Sequence, residues 1–198
     1  MGVRGIQMLQ AIGKLKMKLL KKILFVALIV IGIGVLIAMD IADRDIYYSR
    51  HIPEDEIKEF HLYKTIDEVQ EVYARNYKNP EYSFPRGNVE KVKIYKNQFL
   101  TSRITSKTLS NENSKSTIDF LNEPNNFDWR ETTWNLKESE YILRFFNKQD
   151  NEIGKVWLCI DGCGMTESIP FSPNMKFGGL SNVGRKNLDS LLNRINEN

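Results

Sequence analysis

Residues Ile23 to Met39 read ILFVALIVIGIGVLIAM, a run of 17 apolar or glycine residues that needs lipid, or a core on every side, to be kept from water. At about 1.5 Å rise per residue, a helix through it spans roughly 25 Å, and snorkelling lysines with slight bilayer thinning close the gap to a roughly 30 Å hydrocarbon layer. The flanks give it a direction. Arg4, Lys14, Lys16, Lys18, Lys21 and Lys22 precede it with no acidic residue between Met1 and Met39, whereas Asp40, Asp43 and Asp45 follow it among Arg44 and Arg50. The positive-inside rule predicts a single-pass signal anchor, with residues 1–22 a basic cytoplasmic segment and everything after Asp40 periplasmic or extracellular.

Two other readings compete with the anchor. A cleaved secretory signal has the same basic start, but its apolar middle is usually about 7 to 15 residues and ends at a small-x-small site. Here the exit reads Leu36-Ile37-Ala38-Met39-Asp40-Ile41-Ala42, without such a box. A core helix of a globular protein is disfavoured by Lys21-Lys22 at its mouth and by an apolar surface all the way round. Gly32 and Gly34 are two residues apart rather than four, so they do not form the small-xxx-small face that pairs membrane helices. The lysine–leucine alternation of Gly13 to Leu24 could lie along an anionic leaflet, although topology alone accounts for it.

A formal charge of +3 invites a nucleic-acid partner, but the charge is partitioned: 6 of 28 basic residues and none of 25 acidic ones precede Asp40. Residues 40–198 therefore hold 22 basic against 25 acidic residues, a formal −3. Such a domain repels a phosphate backbone and lacks the basic, aromatic-interleaved face of single-strand binders, so no nucleic acid is expected. With 10 Phe, 8 Tyr and 3 Trp in the chain, mostly in this part, it has the material for one real core.

Asp40 to Lys64 reads as a juxtamembrane spacer whose Tyr47 and Tyr48 suit the interfacial aromatic belt; the stretch around Phe60 to Tyr63 is open between helix and strand. Thr65-Ile66-Asp67-Glu68 is a capping box and predicts a helix with Ile66, Val69, Val72 and Tyr73 inward, closed by Asn79-Pro80. Lys91 to Tyr95 alternates as a half-buried strand, with a partner expected around Phe99 to Ser106. Ser110 caps a helix to Asn122 with Ser114, Thr117, Ile118 and Leu121 inward. Tyr141 to Phe146 and Lys155 to Ile160 are apolar at nearly every position, which predicts a hairpin in mid-sheet. Pro170 and Pro173 confine an extended piece at Ser168 to Ser172 to an edge or an irregular path. Ser181 caps a last helix with Leu188, Leu191, Leu192 and Ile195 inward and Gly184 at a close approach. Helices among hairpins, with no glycine-rich phosphate turn, give an α+β fold: after the transmembrane helix, one two-layer domain (65–198) with an antiparallel sheet and helices packed on one face.

Cys159 and Cys163 are the only cysteines. Asp161-Gly162 between them is turn chemistry, and outside the membrane thiols oxidise, so a structural disulfide is expected. A catalytic dithiol normally has two intervening residues and a cysteine at a helix start, and metal would need more ligands than His51 and His61 bring; no cofactor or metal is expected. Cys159 or Cys163 with His61 would compose a hydrolase, but no nucleophile motif supports it. Asn125 to Trp134 packs Asp128, Trp129, Glu131 and Trp134 into one loop, and Pro170 to Leu180 carries Phe177 on a backbone restricted by two prolines and two glycines. Bland accounts exist for both: solvated carboxylates, and aromatics tucked under the sheet. The functional expectation is that Asp128, Trp129, Glu131, Trp134 and Phe177 form a binding surface for a protein partner, in an anchored binding protein of the inhibitor or immunity type. The alternative is an envelope hydrolase using Asp128 and Glu131 as an acid/base pair on an aromatic platform.

Overall fold

A computed structural model describes residues 3–44, 65–99, 105–129, 138–160 and 163–197. The chain forms two compact units, Met1–Ile41 and Ala42–Asn198. The first is dominated by one continuous helix, α1 (Val3–Arg44), of which Lys16–Ala42 is long and apolar enough to cross a membrane. Its 27 residues extend about 40 Å. Its apolar side chains are exposed, Phe25 at 65% and Val30 at 62%.

The second unit is an α+β domain. Its elements are α2 (Ile66–Asn76), β1 (Lys91–Lys96), β2 (Lys107–Thr108), α3 (Asn111–Asn122), β3 (Phe127–Asp128), β4 (Tyr141–Phe146), β5 (Glu152–Cys159), β6 (Met165–Ile169), α4 (Pro173–Phe177), β7 (Gly179–Leu180) and α5 (Asn182–Glu197). The strands make one antiparallel sheet in the order β2-β1-β4-β5-β6-β7-β3. The β4–β5 hairpin stands in its middle, as its unbroken apolarity predicts.

Alternation along the strands sorts side chains between two faces. Val92 and Ile94 of β1, Leu143 and Phe145 of β4, and Val156 and Leu158 of β5 share one face, and onto it pack Val69, Val72 and Tyr73 of α2, Phe120 and Leu121 of α3, and Leu188, Leu191 and Ile195 of α5. This is the core. Burying a large apolar side chain there contributes about 1.5 to 3 kcal/mol, before the entropy of ordering it is subtracted. The opposite face holds a smaller cluster of Tyr95, Ile142 and Trp157, with Ile169 against it. Along that face Lys93, Arg144 and Lys155 stand in register on three neighbouring strands. Like charges so placed repel, and Glu152 answers them: Arg144 Nε donates to its Oε2 at 2.7 Å and Lys155 Nζ lies 3.6 Å from its Oε1.

The helix starts follow from their caps. Thr65 Oγ1 accepts from Glu68 N and Thr65 N donates to Glu68 Oε2, the reciprocal box expected for α2. Ser110 Oγ accepts from Asn113 N at α3, and Ser181 Oγ from Gly184 N at α5. Gly184 is required by contact. A Cβ there would meet the Asn126 carbonyl oxygen at 1.9 Å, because α5 lies directly on the short 3-10 turn Pro124–Asn126.

Three expectations are corrected. The described partner of β1 is Lys107–Thr108, just beyond the expected Phe99 to Ser106, of which residues 100–104 lie outside the described residues: Lys93 and Ile94 pair with Thr108 and Lys107. The strand after the cysteines runs over Met165–Ile169, earlier than the extended piece expected at Ser168 to Ser172, and lies inside the sheet rather than at an edge; Pro170 ends it, and 170–172 follow the irregular path that was the other expectation. On α3, Phe120 and Asn113 are buried while Ser114 and Ile118 are half-buried, so the inner face is turned from the predicted one. The Tyr47–Tyr48 pair and Phe60 to Tyr63 lie outside the described residues.

Candidate functional site

The five residues expected to form an aromatic, lightly charged surface do not share one environment. Trp129 is only 7% exposed and belongs to the core, its ring 5.7 Å from that of Tyr73. Its indole N–H is shielded from solvent and has no acceptor. Asp128 follows Phe127 on β3, which pairs with β7, and alternation turns it outward to an exposed position. Phe177, at the end of α4, is half-buried and meets Phe171 edge-on at 5.9 Å, so it serves packing in the connector. Glu131 and Trp134 lie outside the described residues. Among the described ones, a surface through Trp129 is therefore excluded by its burial.

The cysteines are placed as their spacing predicts. Cys159 ends β5 and Cys163 precedes β6, with Cα atoms 5.8 Å apart and sulfurs juxtaposed. That separation falls in the ~4.4 to 6.8 Å window a disulfide spans. The pair lies between two neighbouring strands, at the end of β5 and two residues before β6, which is a structural position.

One concavity among the described residues was not legible from the sequence. A cleft of about 690 Å³ opens where β1 ends, β4 begins and the second half of α5 passes. That volume lies within the roughly 300 to 1,000 Å³ usual for small-molecule sites. The strand ends that line it are tied by two main-chain bonds, Asn97 N donating to Glu140 O at 2.8 Å and Glu140 N to Leu158 O at 2.8 Å, and by one to a side chain, Ile160 N donating to the Glu140 carboxylate Oε2 at 2.5 Å. Asn97 Nδ2 donates to Ser139 Oγ at 2.7 Å, while Asn97 Oδ1 is shielded and has no partner. An acceptor left so costs about 1 to 3 kcal/mol, which a donor reaching it would return.

The walls are mainly uncharged and polar. Asn97 and Gln98 project from the exit of β1, and Asn193 and Asn196 from α5, with Asp189 one turn earlier on the same stripe. This stripe lies beside the buried line of Leu188, Leu191 and Ile195, so the 3.6-residue period that anchors α5 also aims the amides at the cleft. Tyr141, Ile160 and Leu192 add apolar surface, and Lys96 and Glu140 add one charge of each sign.

Two titratable groups elsewhere are displaced from their ordinary range. Burial pushes the Glu167 carboxyl up, against the pull of Lys176 at 3.7 Å. Burial also pushes up the phenol of Tyr73, on α2. Among the described residues, no group of three His, Cys, Asp or Glu side chains is disposed to hold a metal ion. No family model, curated protein or solved structure matches this chain.

Proposed function

We propose that this chain is a single-pass, membrane-anchored binding protein whose C-terminal α+β domain faces the extracytoplasmic side and takes a ligand in the cleft between the β1–β4 end of the sheet and α5. The observation that carries the reading is a helix, Lys16–Ala42, long and apolar enough to cross a membrane, in a chain whose second unit has a core of its own. The lysines before it and the aspartates after it supply the direction. A disulfide between Cys159 and Cys163 fits the same compartment.

The ligand site moves relative to the sequence expectation. The sequence places a protein partner on the loop around Trp129; with that ring in the core, the cleft is a feature among the described residues able to take a ligand. The hydrolase alternative needs an aromatic platform around Asp128 and Glu131, and it loses one of its two rings for the same reason. Topology is tested with C-terminal fusions in a bacterial host: alkaline phosphatase should be active and green fluorescent protein dark. The reverse pattern, or extraction of the chain from membranes by alkaline carbonate, refutes the proposal.

A further inference from the structure

We infer that Phe99 makes a second, shallow membrane contact, its ring entering the leaflet through which the anchor leaves the bilayer and packing among phospholipid chains just below the headgroups. This rests on the reading of Lys16–Ala42 as a membrane anchor. Among the described residues of the second unit, Phe99 and Val183 are the two large apolar side chains left exposed, each at 57%. Single exposed apolar residues are ordinary on a protein surface, so position has to decide what each one does. Val183 stands near the start of α5, which packs on the core face of the sheet. Phe99 is placed differently.

Arg44 has its Cζ 5.8 Å from the centroid of the Phe99 ring, within cation–π reach. Its carbonyl oxygen, one of those that a helix end leaves without an intrahelical donor, accepts from Trp157 Nε1 at 2.9 Å. Arg44, Phe99 and Trp157 all belong to the second unit. The backbone that presents the Phe99 ring is pinned, since Lys96 N donates to Thr105 Oγ1 at 3.3 Å and Gln98 N to Lys96 O at 2.9 Å. Covalent connection sets the level of Arg44. It follows Met39, the last residue of the apolar run, by five residues, an axial rise of about 7 to 8 Å. The headgroup layer on each side of the hydrocarbon is roughly 5 to 7 Å thick, so Arg44 reaches its outer part and Phe99 lies beside it. An arginine over an aromatic ring suits this depth, because the guanidinium meets phosphates while its methylene stem and the ring keep to apolar surroundings.

The test uses the full chain reconstituted in phosphatidylcholine nanodiscs, with benzoylphenylalanine, which bonds to nearby C–H carbon under ultraviolet light, in place of Phe99, Val183 or Val30 in turn. Val30 lies inside the apolar run. Intact mass spectrometry should find phospholipid adducts at positions 30 and 99. The yield at 99 should exceed that at 183 by about tenfold or more, the factor by which a large aromatic side chain prefers apolar surroundings to water. As an independent readout, the emission added by Phe99→Trp should be lost to phosphatidylcholine brominated in the upper acyl chain and not to iodide in the buffer. A yield at 99 no higher than at 183, quenching by iodide in place of the brominated lipid, or a protein dimer in place of the lipid adduct would each overturn the inference while adducts at 30 leave the anchor standing. Absence of lipid adducts at 30 would bring down the anchor reading, and this one with it.

Discussion

Gly184→Ala sets two effects of opposite sign against each other on one helix. By propensity alone the change should stabilise α5 by about 1 kcal/mol, since glycine is the poorest non-proline helix former. Contact says otherwise. The added Cβ would lie 1.9 Å from Asn126 O, 2.8 Å from Asn126 C and 3.0 Å from its Cα, all backbone atoms that cannot swing aside. The helix must lift from the Pro124–Asn126 turn, loosening the Ser181 N to Asn126 O bond at 2.9 Å and the Asn187 Nδ2 to Asn126 Oδ1 bond at 2.8 Å. Overpacking costs about 1 to 3 kcal/mol and each weakened bond up to about 1, so the net is a loss of roughly 1 to 3 kcal/mol. For a domain of this size that lowers the midpoint by about 3 to 10 °C, read by near-ultraviolet circular dichroism, which reports the aromatic core and not α1. Ser190→Ala on the exposed side of the same helix is the control and should be neutral or slightly stabilising. A Gly184→Ala chain as stable as the parent would refute the packing of α5 on the turn.

Reducing the Cys159–Cys163 pair should lower stability by about 2 kcal/mol, the entropy of closing so short a loop, and mass spectrometry after alkylation without reductant should find both sulfurs blocked; two alkylated thiols would negate it. Glu152→Gln withdraws the charge that Arg144 and the 2%-exposed Lys155 share, and should cost about 3 kcal/mol in urea unfolding; a change under 1 would show that the cations are satisfied without it. Because burial raises the Glu167 carboxyl, the folded state holds its proton more tightly than the unfolded chain. Its stabilising contribution is thus complete below the unfolded carboxyl range and is lost as pH rises through the raised value. Glu167→Gln should accordingly gain on the parent at neutral pH and lose that advantage at pH 4; an advantage that does not change with pH would contradict the burial.

Periodicity and caps carried most of the fold. The box at Thr65, the caps at Ser110 and Ser181 and the doubly apolar β4–β5 hairpin are local signals, and each element formed where its signal lies. Gly184 was legible too, because a glycine on the apolar stripe of a helix has few reasons to be there other than proximity. What failed was register and pairing. β2 has only two residues and is defined by its hydrogen bonds to β1, which no local pattern encodes. Trp129 was read as surface because charged neighbours surround it in sequence, whereas the β3–β7 pairing turns it under the sheet toward Tyr73. The cleft was invisible for a related reason: Asn97, Ser139 and Asn193 belong to three separate segments, and single asparagines on exposed turns and helix flanks carry no signal until the fold gathers them.

The sheet tapers, from eight residues in β5 to two in each of the outermost strands, β2 and β3. Among the described residues, border strands of two residues give a neighbouring copy only a short template to extend.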